Sequence, residues 1–281
     1  MTDRVILEQC GRGEISPQIA LARLLLAGGR VDAAHLADVA AGHPGSHQLA
    51  ALARLAARHG DRLESLGRLA RSPLWPSGDD VLASTAAIFD RLAVEAPEAG
   101  VALYSLGDPD ELAAATAELV GVIRAWSPSA SGRILDFGCG IGRVAIALAD
   151  GAESVLGLDL SGQMIAEARR RAEGRGTVRF ARNAAARLPV EPGAIDLFLA
   201  ADSLPYVIHA GAFDSFMAEA ARVLRPGGDL LVFNWSFRGD PERDVTEARA
   251  LAAGHGFAVI RAGERPFAIW DAQGFQLRRI P

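Results

Sequence analysis

The chain contains no lysine; all 29 of its basic residues are arginine. A Walker-type phosphate loop needs a lysine, and pyridoxal phosphate or Schiff-base chemistry needs an amine side chain, so both routes are closed. Cysteine is scarce too. The only two, Cys10 and Cys139, cannot build a disulfide framework, and a reducing, cytoplasmic setting is expected. No run of about 18 apolar residues occurs, so no membrane-spanning helix is expected. The opening stretch MTDRVILEQCGRGE carries acidic residues early and lacks the basic, apolar, small-residue order of a secretion signal. A positive surplus is also missing. The formal net charge of −5 argues against a sequence-independent nucleic-acid binder, which needs a basic face.

What is present is a chain of 281 residues, half of them apolar and 22% charged, enough for one large globular domain and a smaller appendage. Residues 1–76 read as a helical, alanine-leucine-rich region. Within it LARLLLAGG (Leu21 to Gly29) and LARLAARHG (Leu52 to Gly60) resemble each other, with glycines where a C-terminal helix cap would fall. HPGS, from His43 to Ser46, separates them as a turn. The doublet resembles a helical repeat of the tetratricopeptide type. It leaves two readings open: a packing cap, or a module through which a second copy or another protein docks. RSPLWPSGDD supplies the boundary, and residues 77–132 form a helical lead-in with helices over Val81 to Leu92 and Pro109 to Ala125.

From residue 133 to 281 the pattern alternates. Apolar stretches such as RILDFG, SVLGLDL, TVRFARN, AIDLFLAAD and DLLVFNWS read as strands, with helical stretches between them and RPGG as a turn before the fifth. FAVIRAGERPF and FQLRRI close the chain as two more. The fold class is therefore α/β: a mostly parallel seven-stranded sheet with helices on both faces, plus the N-terminal helical region. In such sheets the ligand sits beyond the carboxyl ends of the strands.

At that edge stands ILDFGCGIGR. Its glycines, Gly138, Gly140 and Gly142, are spaced G-x-G-x-G, whereas the dinucleotide fingerprint places its third glycine one position later, where Arg143 stands. Asp136, at the end of the first strand, would repel a pyrophosphate and attract an ammonium group. Asp159 ends the second strand, where an acid accepts hydrogen bonds from a ribose diol. A ligand with both an adenosine ribose and an α-amino group is S-adenosylmethionine.

Together ILDFGCGIGR, GLDLSGQMI, the RLP and AIDLFLAADSL stretches and ARVLRPGG make residues 134–228 resemble the class I S-adenosylmethionine-dependent methyltransferases, whose fold is Rossmann-like. The resemblance implies that Asp136, Gly138 and Gly140 line the methionine part of the cofactor and that Asp159 holds the ribose. Leu160 and Met164 would flank adenine, and Ala201 and Asp202 would border the sulfonium. The acid that the family often places after the third strand is replaced by Asn183-Ala184-Ala185, with Ala184 at the acid's place, so either Asn183 or backbone groups there would meet the adenine, or the adenine is held more weakly. Tyr104, in the lead-in, would face the methionine end.

For the reacting end the candidates are Asp202, Tyr206 and His209, in ADSLPYVIH. Ser203-Leu204-Pro205-Tyr206 resembles the N-L-P-Y loop of amino-directed methyltransferases without its leading Asn, and Asp196 stands seven residues before it. Trp235 is a candidate wall residue with core packing as its equal alternative, and Arg143 is expected to serve structure. No metal site is expected. The sequence leads to a methyltransferase acting on a small molecule, with no nucleic-acid or membrane partner. Its competitor is a protein-directed or non-catalytic S-adenosylmethionine-binding module acting through the N-terminal helices.

Overall fold

The computed structural model describes residues 2–28, 31–71, 80–183 and 187–281. Five helices come first: α1 (Asp3–Gly11), α2 (Pro17–Leu26), α3 (Ala33–Ala41), α4 (His47–Arg58) and α5 (Gly60–Arg71). Next come α6 (Val81–Glu95), α7 (Pro97–Val101) and α8 (Pro109–Trp126). Strands and helices then alternate: β1 (Arg133–Phe137), α9 (Arg143–Ala149), β2 (Ser154–Asp159), α10 (Gly162–Arg171), β3 (Val178–Arg182) and β4 (Ile195–Ala201). The chain continues with α11 (Leu204–His209), α12 (Phe213–Val223), β5 (Leu224–Phe233), α13 (Pro241–Gly254), β6 (Phe257–Glu264) and β7 (Gly274–Arg279).

Packing divides the chain into two compact units. One comprises Met1–Trp75, Glu95–Ala115 and Phe267–Asp271; the other comprises Pro76–Val94, Thr116–Pro266 and Ala272–Pro281. The stretch 77–132, read from sequence as a single lead-in, is thus shared between them.

In the helical unit, Ser16 and Ser46 cap α2 and α4 by accepting the amides of Ile19 (3.1 Å) and Leu49 (3.3 Å), each satisfying one orphan donor of a first turn. The glycine expected to cap the second of the two similar segments does otherwise. His59 is the C-cap of α4, and Gly60 opens α5. The first of the pair, Gly29, lies outside the described residues. Tyr104 is buried here and stacks on Trp270 with ring centroids 5.9 Å apart.

The other unit is built on one seven-stranded sheet of order β3-β2-β1-β4-β5-β7-β6. β1 to β5 pair in parallel, and β7 runs antiparallel between β5 and β6. Helices cover both faces, so the central strands are continuous apolar runs: Leu197, Phe198 and Leu199 in β4 and Leu230 to Phe233 in β5 have no exposed surface. RPGG, expected as a turn, falls within β5. The pairing of β4 with β5 begins at Ile195 with Leu224 and resumes at Leu197 with Asp229, so the extra residues form an irregularity at the strand's start.

Asp196 closes that end of the sheet. Its Oδ2 accepts from the Arg133 amide (2.8 Å) and Nε (3.0 Å), and its Oδ1 from Arg225 Nε (2.5 Å). Burial opposes its ionisation, yet these donors hold its carboxyl down at about 2. Asp196 therefore ties the amino ends of β1 and β5, at the opposite end of β4 from the glycine turn. No helix among the described residues is long and apolar enough to cross a membrane.

Candidate functional site

The site grows from the turn that follows β1. Gly138, Gly140 and Gly142 have φ of +72°, +54° and +78°, a region closed to most side-chain-bearing residues. Space forbids a side chain as well. A Cβ at Gly138 would lie 2.4 Å from Ser203 Cβ, and one at Gly142 2.6 Å from the Phe180 ring. Ser203 is fixed against the turn by donating to the Phe137 carbonyl at 2.7 Å.

Asp159, at the end of β2, holds the turn from the neighbouring strand. Its Oδ2 accepts from the Gly140 amide and its Oδ1 from the Ser161 amide, both at 2.8 Å. Burial pushes its carboxyl up, the two amides pull it down, and the charge of Asp90 pushes it up again. Asp90 comes from α6. Its Oδ1 accepts from Ser161 Oγ (2.5 Å) and from the Gln163 amide (2.9 Å), while Ser161 Oγ caps α10 by accepting the Met164 amide (3.0 Å). Nothing in the sequence pattern singled out Asp90. It lies 69 residues before Asp159, and a lone acid on a helix carries no local signal.

Asp136 sits on β1 below the turn with 2% of its surface exposed. Its Oδ2 has no hydrogen-bond partner among the described residues. Burial raises its carboxyl to about 7, against the nearby Arg143 charge and the Ala145 amide, which favour ionisation, and with Asp159, which does not. An unsatisfied buried carboxyl oxygen is costly and marks a place where a donor is wanted. An ammonium group fits that want. The site residues therefore suit S-adenosylmethionine: a glycine turn with its backbone amide held by Asp159, a buried carboxyl at Asp136 asking for a cation, and the second carboxyl, Asp159, at the end of the neighbouring strand.

Cys139, inside the turn, is buried. Its thiol is pushed well above the ordinary range by burial and by the Asp136 and Asp159 charges, so it serves packing rather than nucleophilic chemistry. Arg143 donates to Thr116 of α8 at 3.1 Å and opens α9, the structural place expected for it.

The carboxyl ends of β4 and β5 form the adjoining wall. The Asp202 amide donates to the Phe233 carbonyl (2.9 Å) and the Asn234 amide to the Gln273 carbonyl (2.9 Å), each the last rung before the chain leaves the sheet. Ala201 ends β4 immediately before. The Ser203-Leu204-Pro205-Tyr206 stretch, matched in sequence to a loop, enters α11 at Leu204, with Pro205 in the first turn where its missing N–H costs nothing. Tyr206 is half-buried there, and its phenol is pushed up by burial and by the Asp202 carboxylate.

The remaining expected residues separate. His209 is exposed at the end of α11. Met164 has no exposed surface and is a core residue of α10, whereas Leu160 is half-buried just past β2. Asn183 follows β3 with its amide donating to the Asp159 carbonyl (2.9 Å). Ala184 lies outside the described residues. Tyr104 belongs to the helical unit. Trp235 is 1% exposed and packs on Phe275, so of its two readings the structure takes core packing. The described residues contain no cluster that could hold a metal ion.

Comparison with known proteins bears on the same stretch. Residues 134–228 match the family model described as a methyltransferase domain. A 37.1 kDa protein of transposon Tn4556 from Streptomyces fradiae is 33% identical over 208 residues, covering 69% of this chain and 55% of that one. The demethylmenaquinone methyltransferase of Thermus thermophilus is 40% identical over 107 residues, covering 37% of this chain and 47% of that one. This chain thus spans about half the length of these curated relatives. Among solved structures, an S-adenosylmethionine-dependent methyltransferase from Aquifex aeolicus shares the fold, with a TM-score of 0.50 at 19% identity, covering 62% of this chain and 94% of that one. Residues 134–228 of this chain are thus a methyltransferase domain by family match, and the sheet unit has the fold of S-adenosylmethionine-dependent methyltransferases.

Proposed function

We propose that the protein transfers a methyl group from S-adenosylmethionine to a small-molecule acceptor. The observation that carries this is the pairing of two carboxyls with one glycine turn: Asp159 bonded to the Gly140 amide, and Asp136 buried beneath it with an oxygen unpartnered. In this reading Asp136 and the Gly138–Gly140 backbone receive the amino acid end of the cofactor, and Asp159 the ribose. Leu160 and Asn183 border the adenine. When bound, the cofactor supplies an electrophilic methyl on a sulfonium, which needs alignment more than acid-base help. The chain's part is to orient the acceptor at the ends of β4 and β5, where Ala201, Asp202 and Tyr206 stand. The acidic net charge and the demethylmenaquinone-directed relative support a small acceptor over a nucleic acid.

Thermal unfolding tests this directly, with S-adenosylhomocysteine, with NADH and without ligand. At about 100 times its dissociation constant a ligand stabilises by about 2.7 kcal/mol, a rise of roughly 5 to 10 °C for a chain this long. A rise with S-adenosylhomocysteine alone, abolished in Asp159→Ala, is expected. A rise with NADH, or none with either, would overturn the proposal.

A further inference from the structure

Among the described residues three side-chain-bearing positions adopt a left-handed backbone, and two of them, Asp202 (φ +61°) and Asn234 (φ +70°), are bonded to each other at the ends of adjacent strands. Asn234 Nδ2 donates to Asp202 Oδ1 at 2.6 Å. Such conformations persist only where the surroundings impose them, and they cluster at ligand sites. Here the surroundings are the last rungs of β4 and β5 together with Ser203, seated on the Gly138 turn. The result is a carboxylate beside the cofactor turn whose orientation is set by an amide on the next strand.

Next to this polar pair stands an aromatic array. The Tyr206 ring meets Phe89 of α6 edge to face at 5.3 Å and Phe237 in the same way at 5.4 Å. Phe237 is 45% exposed, yet its loop is held firmly. The following residue, Arg238, bonds to Ser236 Oγ (3.0 Å) and to the buried Asp244 (2.7 Å), and pairs with Glu247. A partly exposed aromatic on a fixed loop, packed edge to face on the Tyr206 ring, offers a face on which a flat ring can pack.

We propose that this wall is the acceptor subsite and that it takes a flat aromatic compound bearing a hydroxyl group. The ring packs on Phe237 and Tyr206, the hydroxyl donates to the Asp202 carboxylate, and Asn234 is the positioning residue that holds Asp202 in place. The inference rests on the methyltransferase reading above and narrows it to a substrate class. A fixed carboxylate selects a hydrogen-bond donor and rejects an anion, because a second negative charge there would be repelled.

4-Nitrophenol is a suitable probe, since its neutral and ionised forms absorb differently. It is titrated into protein saturated with S-adenosylhomocysteine, whose own binding is measured separately by calorimetry. Saturable binding is expected, with the bound probe staying protonated to a higher pH than the free one. Phe237→Ala weakens probe binding about fivefold or more while leaving S-adenosylhomocysteine affinity unchanged. Asn234→Gly, which keeps the backbone conformation, weakens probe binding and shrinks the difference in ionisation; Asp202→Asn removes that difference. No saturable probe binding to the loaded protein overturns the inference and leaves the methyltransferase reading standing. So does equal affinity in Phe237→Ala and Asn234→Gly. Failure of S-adenosylhomocysteine itself to bind overturns both.

Discussion

Asp136 holds its proton more tightly folded than unfolded, and that sets a pH dependence of known sign. Its ordinary value is 3.8 and burial lifts it to about 7, so between those values the folded chain binds the extra proton. Stability from this group is full below about pH 4 and is lost as pH rises through about 7. The loss amounts to about 4 kcal/mol at most, from about 1.4 kcal/mol per pH unit of difference. Ligand-free protein should therefore resist urea better at pH 5.5 than at pH 8. Asp136→Asn should flatten that difference and exceed the wild type at pH 8. A variant less stable than wild type at pH 8 would mean that Asp136 has a cationic partner in the free protein. Gly138 makes the companion case. Gly138→Ala meets both Ser203 and an unfavourable φ, so it should destabilise by more than about 1 kcal/mol and weaken S-adenosylhomocysteine binding, read by calorimetry.

Between elements, the contact of α6 with α10 is the feature the sequence concealed. Asp90 and Ser161 together satisfy the first turn of α10, and caps of this kind contribute about 1 kcal/mol. Asp90→Ala should lower the melting temperature by roughly 2 to 4 °C. Ser161→Ala should do the same, and the double variant should lose less than both together, because each depends on the other. Strict additivity would show that the contact is not made in solution. Three of the strands carry a chemical marker at their carboxyl end: Asp136 and the glycine turn for β1, Asp159 for β2 and Asp202 for β4. Their apolar runs reported burial on both faces, which is a local property. The helix ends were less legible. Gly60 looked like a cap because glycine commonly ends helices, but His59 takes that place and α5 starts at once. RPGG reads as a turn by composition and is drawn into β5 by pairing with β4, a contact that only the assembled sheet supplies. The site divides the same way. Of the residues proposed for the site, Asp136, Asp159 and Asp202 are legible because they stand at strand ends, whereas Asp90, Phe89, Asn234 and Phe237 come beside them only through tertiary packing. Met164, a candidate through the family resemblance, and Trp235, a candidate wall residue, are both buried in the core.

For the molecule as a whole, ligand binding and protonation become one equilibrium. The amino group of S-adenosylhomocysteine is a cation below its own ionisation, and an ionised Asp136 attracts it where a neutral one does not. In the proposed binding mode, the proton that Asp136 carries in the free protein below about pH 7 is expelled when the ligand binds. Affinity should therefore rise with pH from 6 to 8, and calorimetry at pH 6 in buffers of differing ionisation enthalpy should register proton release to the buffer. The melting-temperature rise at fixed ligand concentration should likewise be larger at pH 8, since each tenfold gain in affinity adds about 1.4 kcal/mol of stabilisation at saturation. The two pH effects run in opposite directions: the free protein loses stability over the interval in which the loaded protein gains ligand affinity. The melting temperature of the loaded protein should consequently vary less with pH than that of the free one. Asp136→Asn should remove both dependences together. If it removed only the first, the ammonium group would be held by the turn's backbone carbonyls rather than by Asp136, and the buried carboxyl would serve the fold of β1 alone.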